Sequence, residues 1–198
     1  MLFHWKDFLE QWSGELLANN TIRERLSPEV IAAGWLGYAG ATEAQLTQAE
    51  ARLGRALPPS YREFLKVTNG WREAGYFIHH LWSTEEIEWY AARHQDLIDA
   101  WLEGSGGPHP IPDEEYFVYG EGQTDFREEY LQTALEVSEY DPRGDGVCLL
   151  NPQIVTPEGE WEAWFFAAWA EGATRYRSFW ELLHAERESF LQMWQQGA

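Results

Sequence analysis

The residues able to do chemistry are scattered along this chain, and their spacing limits what each can do. His79, His80, His94 and His109 are the first candidates for a metal site. His79 and His80 are neighbours in a stretch that reads as a strand, where successive side chains face opposite ways, so they cannot easily share one ion. None of the intervals matches a zinc-binding pattern. Asp141-Pro142-Arg143-Gly144-Asp145-Gly146 lacks the alternating ligands and the terminal bidentate Glu of a calcium loop. It reads as a hairpin turn whose Asp and Gly serve the backbone. The one cysteine, Cys148, lies in the apolar run Val147-Cys148-Leu149-Leu150 and reads as a small buried hydrophobe, and a single Cys excludes an internal disulfide. Gly120-Glu121-Gly122 runs into Gln-Thr-Asp without a dinucleotide fingerprint. Acids are so numerous that spacing singles out no hydrolytic pair. No catalytic residue, metal or cofactor is expected.

Charge is more informative. The 198 residues carry 33 acids against 14 bases, a net charge of −19. The excess is localised: residues 113–162 hold 14 acids against 2 bases, Arg127 and Arg143, hence −12. Such a surface repels nucleic acid and anionic membranes, and it steers basic proteins toward itself. An acidic surface also serves solubility without any partner. Twelve tryptophans are many for one domain. Trp5, Trp12 and Trp180 sit at inward helical positions. Trp161, just past an acidic turn, and Trp71 and Trp82, flanking a strand, are candidates either for the core of an aromatic-rich domain or for exposure among acids, where they would offer a protein-binding surface.

The elements that must position these residues follow from periodicity. Trp5, Phe8, Leu9, Trp12 and Leu16 mark an amphipathic helix over 5–18, and Ser27-Pro28 opens a short second one. Thr42 and Gln45 form a capping box for a helix ending near Gly54. Leu57-Pro58-Pro59 precedes a helix with Tyr61, Phe64, Leu65 and Thr68 on one face, stopped at Asn69-Gly70. Residues 75–82 read as a strand. Ser83 and Glu86 match a second box, with a helix running to Glu103 and bending near Gln95-Asp96. Tyr116–Tyr119, Leu135–Glu139, Val147–Leu150 and Trp161–Trp169 read as four more strands, the last three in an antiparallel meander. Ser178 and Glu181 cap a long closing helix. The fold class is α+β: a mainly antiparallel sheet of about five strands packed against several helices.

The ordered set of motifs resembles the SUKH superfamily. The likeness rests on Thr42 to Gly54, then Leu57-Pro58-Pro59-Ser60-Tyr61-Arg62-Glu63-Phe64-Leu65 and Asn69-Gly70-Trp71. It continues in Asp145–Pro152 with Gly159–Trp164, and closes on Ser178-Phe179-Trp180-Glu181-Leu182-Leu183. It covers roughly residues 35–190. A division into an N-terminal helical segment, 1–34, and a SUKH-like domain, 35–198, is expected, the two forming one compact unit. The resemblance implies a non-enzymatic binding scaffold: a bacterial immunity protein that neutralises a cognate toxin, or a regulator like the fungal cell-wall-assembly proteins.

With the acidic stretch, it points to a basic protein partner, a toxin domain such as a nuclease. Glu114, Glu115, Asp125, Glu128, Glu129, Glu139, Asp141 and Asp145 are the expected rim charges, with Tyr116, Trp161 and Trp71 as anchors. No nucleic acid or membrane contact is expected, and the chain reads as a monomer or weak dimer. No basic and then apolar leader opens it and no run approaches bilayer length, so a cytoplasmic location is expected.

Overall fold

The computed structural model describes residues 3–104, 111–119, 124–139, 146–167 and 172–197. Helix α1, Trp5–Ala18, buries Trp5, Phe8, Leu9, Trp12 and Leu16, the face its periodicity marks. Two short helices follow: α2, Asn20–Arg23, and α3, Pro28–Ala33. Helix α4, Glu43–Leu53, starts in a reciprocal box between Thr42 and Gln45. In α5, Pro59–Val67, Tyr61, Phe64 and Leu65 are buried. The closing helix α8, Phe179–Gln196, is capped by the Ser178 side chain. Trp5 packs edge-on against Phe64 at 5.4 Å, and Tyr61 against Phe179 at 4.8 Å, so α1, α5 and α8 share one aromatic core.

Two antiparallel sheets form among the described residues. Strands β1, Trp71–Arg72, and β2, His80–Leu81, pair with each other. The main sheet runs in the order β3, Glu88–Trp89; β4, Leu135–Glu136; β5, Val147–Val155; β6, Trp161–Ala167; β7, Gly172–Tyr176. Every residue of β6 is buried, which requires cover on both sides. Trp161, Ala163, Phe165 and Ala167 point into the core built by α1, α4, α5 and α8. Trp164 and Phe166 point the other way, toward Tyr90 and Ile98 of α6, Tyr90–Gly104, and Leu131 of the 3-10 turn Glu128–Thr133. The α+β architecture and the antiparallel sheet match the sequence reading.

Several local expectations change. The 75–82 strand contracts to His80–Leu81, because Glu73 at φ 45° and Gly75 at φ 127° turn the chain back before it. Ser83 does bond Glu86, its N–H and Oγ donating to Oε2 at 2.9 and 2.7 Å, but only one turn forms. Glu88–Trp89 then pairs with Leu135–Glu136, and the helix begins at Tyr90. It bends at His94, φ −129°, just before the expected point. The Tyr116–Tyr119 strand is absent. Asp113–Tyr116 is instead a single helical turn, α7, opening after Pro112, with three acids in its first turn where the helix dipole favours them. Strand β7 was not anticipated. Trp169, His109, the Gly120–Gly122 run and most of the Asp141–Gly146 turn lie outside the described residues.

Candidate functional site

On the second face of the sheet, where β6 meets β7, charged residues point inward. Strand alternation puts Glu162 on the same side as Trp164, and Arg175 pairs in register with Trp164. The Glu162 carboxylate and the Arg175 guanidinium therefore meet on a diagonal at 3.3 Å, both side chains almost wholly out of solvent. A buried carboxylate is tolerated only when its lone pairs are met. Glu162 accepts from Tyr116 Oη at 2.6 Å, Trp164 Nε1 at 2.7 Å, Tyr119 Oη at 2.8 Å and Asn151 Nδ2 at 3.2 Å. Burial and the Glu162 charge push both tyrosine hydroxyls above their usual pKa, so they stay donors.

Arg175 spends its remaining N–H groups on the chain above the sheet. Nε donates to the Asp125 carbonyl at 2.8 Å, Nη1 to the Tyr116 carbonyl at 2.5 Å and Nη2 to the Val118 carbonyl at 3.3 Å. Its guanidinium lies 4.1 Å from the Tyr116 ring centre, and that of Arg127 lies 4.3 Å away. Arg127 in turn donates to Asp113 Oδ1 at 2.5 Å and to the Ile111 carbonyl at 2.7 Å. The Asp113 carboxylate raises the Arg127 pKa further. The buried ion pair thus ties α7 and residue 125 to β6 and β7, and Arg127, at the start of the 3-10 turn, ties that turn to α7, so that the three form a single lobe.

The outer surface of this lobe carries Glu114, Glu115, Asp125 and Glu129, all exposed and without an ion pair among the described residues. Glu128 belongs to the same lobe and is half-buried. Most of the described bases, by contrast, are engaged. Arg25, Arg52, Arg62, Lys66, Arg93, Arg127 and Arg187 each contact a carboxylate. The sequence's concentration of acid therefore becomes a face with little local counter-charge.

Other expected site residues fall elsewhere. Glu139 is exposed but sits by β2, its N–H donating to the His80 carbonyl. Asp141 and Asp145 lie outside the described residues. The three expected anchors are buried. Tyr116 is fully enclosed between the arginines and Glu162. Trp161 is in the main core, with Arg55 stacked 5.7 Å from its ring centre. Trp71 lies between Trp12 and Trp35. None of the three offers its ring to a partner. The exposed apolar residues of the lobe are instead Phe117 and Val118. Glu162 and Arg175 are not among the expected site residues; the charge of Glu162 inside the apolar run Trp161–Ala167 is a signal for an inward partner, while Arg175 in Gly172–Tyr176 gives none.

The remaining chemistry-bearing residues are occupied structurally. His79 lies 3.2 Å from Glu73, and His94 Nε2 lies 3.0 Å from the buried Glu136. Among the described residues no three His, Cys, Asp or Glu side chains converge as metal ligands. Cys148 is fully buried and burial pushes its thiol pKa well up, away from the nucleophilic thiolate. Between β7 and α8 lies a cleft of about 470 Å³, where Arg177 already faces Glu181 at 3.8 Å. Among the described residues no helix is long and apolar enough to cross a membrane.

The family model for the SMI1/KNR4 family (SUKH-1) matches residues 40–185. The chain belongs to this family. The match runs from just before α4 into α8, so the SUKH-1 region includes α5, the whole main sheet and the Glu162–Arg175 lobe. No match was found among curated proteins. SUKH-1 membership supports a protein-binding immunity or regulatory module in general, and the family is generally non-enzymatic.

Proposed function

We propose that this SUKH-1 chain is a cytosolic immunity protein that neutralises a cognate toxin by binding a basic domain of it directly. One observation carries the reading. Most of the described bases are drawn into ion pairs within the fold, while Glu114, Glu115, Asp125 and Glu129 stand without an ion pair among the described residues, on a lobe whose backbone is held from beneath. A face of one sign on a rigid support attracts a basic partner over a distance and holds it with little ordering cost. Inhibition then needs no catalytic group, since covering a nuclease's cationic substrate groove is enough. Residues 1–34 act as part of the same unit, because Trp5 and Phe8 pack on Trp180 of α8.

Co-expression tests this. The chain, expressed with the basic toxin domain encoded beside it in its own genome, should restore growth and co-elute with that domain. Failure on both counts would contradict the immunity reading, and a stable complex with an endogenous protein instead would indicate a regulatory scaffold.

A further inference from the structure

Resting on that reading, we propose that Phe117 and Val118, at the end of α7, form the apolar anchor of the interface. The occupant is a basic protein surface that presents a hydrophobic socket ringed by Lys or Arg.

Among the described residues few large apolar side chains are exposed. Phe117 at 47% exposure and Val118 at 48% are adjacent in sequence and both face water. Leu97, Tyr38 and Val155 are exposed singly, and Tyr38 is covered on one face by the Arg72 guanidinium at 3.6 Å. A pair of exposed hydrophobes is unremarkable on a mobile tip, where fixing it would oppose binding. Here the backbone is already fixed. The Phe117 N–H donates to the Asp113 carbonyl at 3.0 Å, and the Val118 N–H to the Glu115 carbonyl at 3.3 Å. The Val118 carbonyl accepts from the buried Arg175 at 3.3 Å. The Phe117 ring also stands edge-on to Tyr116 at 5.5 Å, which fixes its direction. Side chains presented on a held backbone lose little freedom on docking, which suits an anchor.

Charge selects the occupant. Glu114 and Glu115 lie on the helical turn that leads into the anchor, with Tyr116 between, and Glu129 sits on the 3-10 turn. A second copy would bring the same acids against these and be repelled, whereas a basic surface would be attracted. The anchor is thus a centre with a charged rim, and Tyr116 serves beneath it as support.

A random peptide library displayed on phage, panned against the full-length chain, tests the assignment. Enriched peptides should combine Lys or Arg with a large apolar residue. Phe117→Ser and Val118→Ser should each weaken a synthesised winner about tenfold or more, the size expected for a central contact. Val155→Ser, an exposed control, should leave binding unchanged, and all three variants should melt with the parent. If basic peptides bind both anchor variants as tightly as the parent, the anchor is wrong while the electrostatic reading stands. If no basic peptide is enriched, both fall. Self-association abolished by Phe117→Ser would also overturn the proposal, since it would make a second copy the occupant.

Discussion

The Glu162 carboxylate and the Arg175 guanidinium meet at 3.3 Å between β6 and β7, with 0% and 2% of their side chains exposed. Removing either partner alone strands a buried charge, at a cost of about 3–5 kcal/mol. Glu162→Leu and Arg175→Met should each lower stability by that order in urea unfolding. Arg175→Met should be the worse, because it also orphans the Asp125, Tyr116 and Val118 carbonyls. The double variant should lose clearly less than the two single losses combined. Strict additivity would mean that the two side chains do not compensate each other.

Glu160 joins the sheet to the start of α5. Its carboxylate accepts the Ser60 N–H at 2.8 Å and the Ser60 hydroxyl at 2.6 Å, doing at this helix N-terminus what a capping side chain normally does. Pro58, the residue in the cap position, has no side-chain oxygen to offer. Glu160→Ala should therefore cost about 1–2 kcal/mol in chemical denaturation. Alanine at the nearby exposed Glu158 should cost next to nothing. Equal effects at the two positions would remove the capping role.

Glu186 gives stability a definite pH dependence. It is buried on α8, and burial raises its pKa to about 8 from an ordinary value of 4.5. Tyr176 of β7 and Cys148 of β5 lie close enough for its charge to raise their pKa values too. The folded state therefore holds this proton where the unfolded chain releases it. The stabilisation is complete below about pH 4.5 and is lost as pH rises through 8. Glu186→Gln removes the titration. Its stability relative to the parent should climb between pH 5 and 8 by up to about 1.4 kcal/mol per pH unit. A stability difference that stays flat with pH would contradict the buried, protonated carboxyl.

What could be read in advance tracks how local the cause is. Helices α1, α4, α5 and α8 announce themselves through apolar spacing and through caps at Thr42 and Ser178, all set by residues within a turn or two. Strand β7 escaped because Arg175, a charge in an alternating run, reads as a solvent position. Its inward pose depends on Glu162, 13 residues away across the sheet. Tyr116 and Trp161 are expected as anchors within an acidic stretch, but their rings are covered by Arg127, Arg175 and Arg55. The same acids looked like one continuous rim. Folding gathers Glu114, Glu115, Asp125 and Glu129 on one lobe and sends Glu139 to the neighbourhood of His80.

The central claim is that the acidic lobe guides a basic partner to its place. It is tested most directly by the association rate with the proposed partner, a basic toxin domain, over a salt series, for the parent and for a variant with Gln at Glu114, Glu115, Glu128 and Glu129. The parent rate should fall steeply as salt rises, and the variant should associate about tenfold or more slowly at low salt with a much flatter dependence. Identical rates for the two proteins at every salt concentration would show that the lobe's charge serves solubility alone.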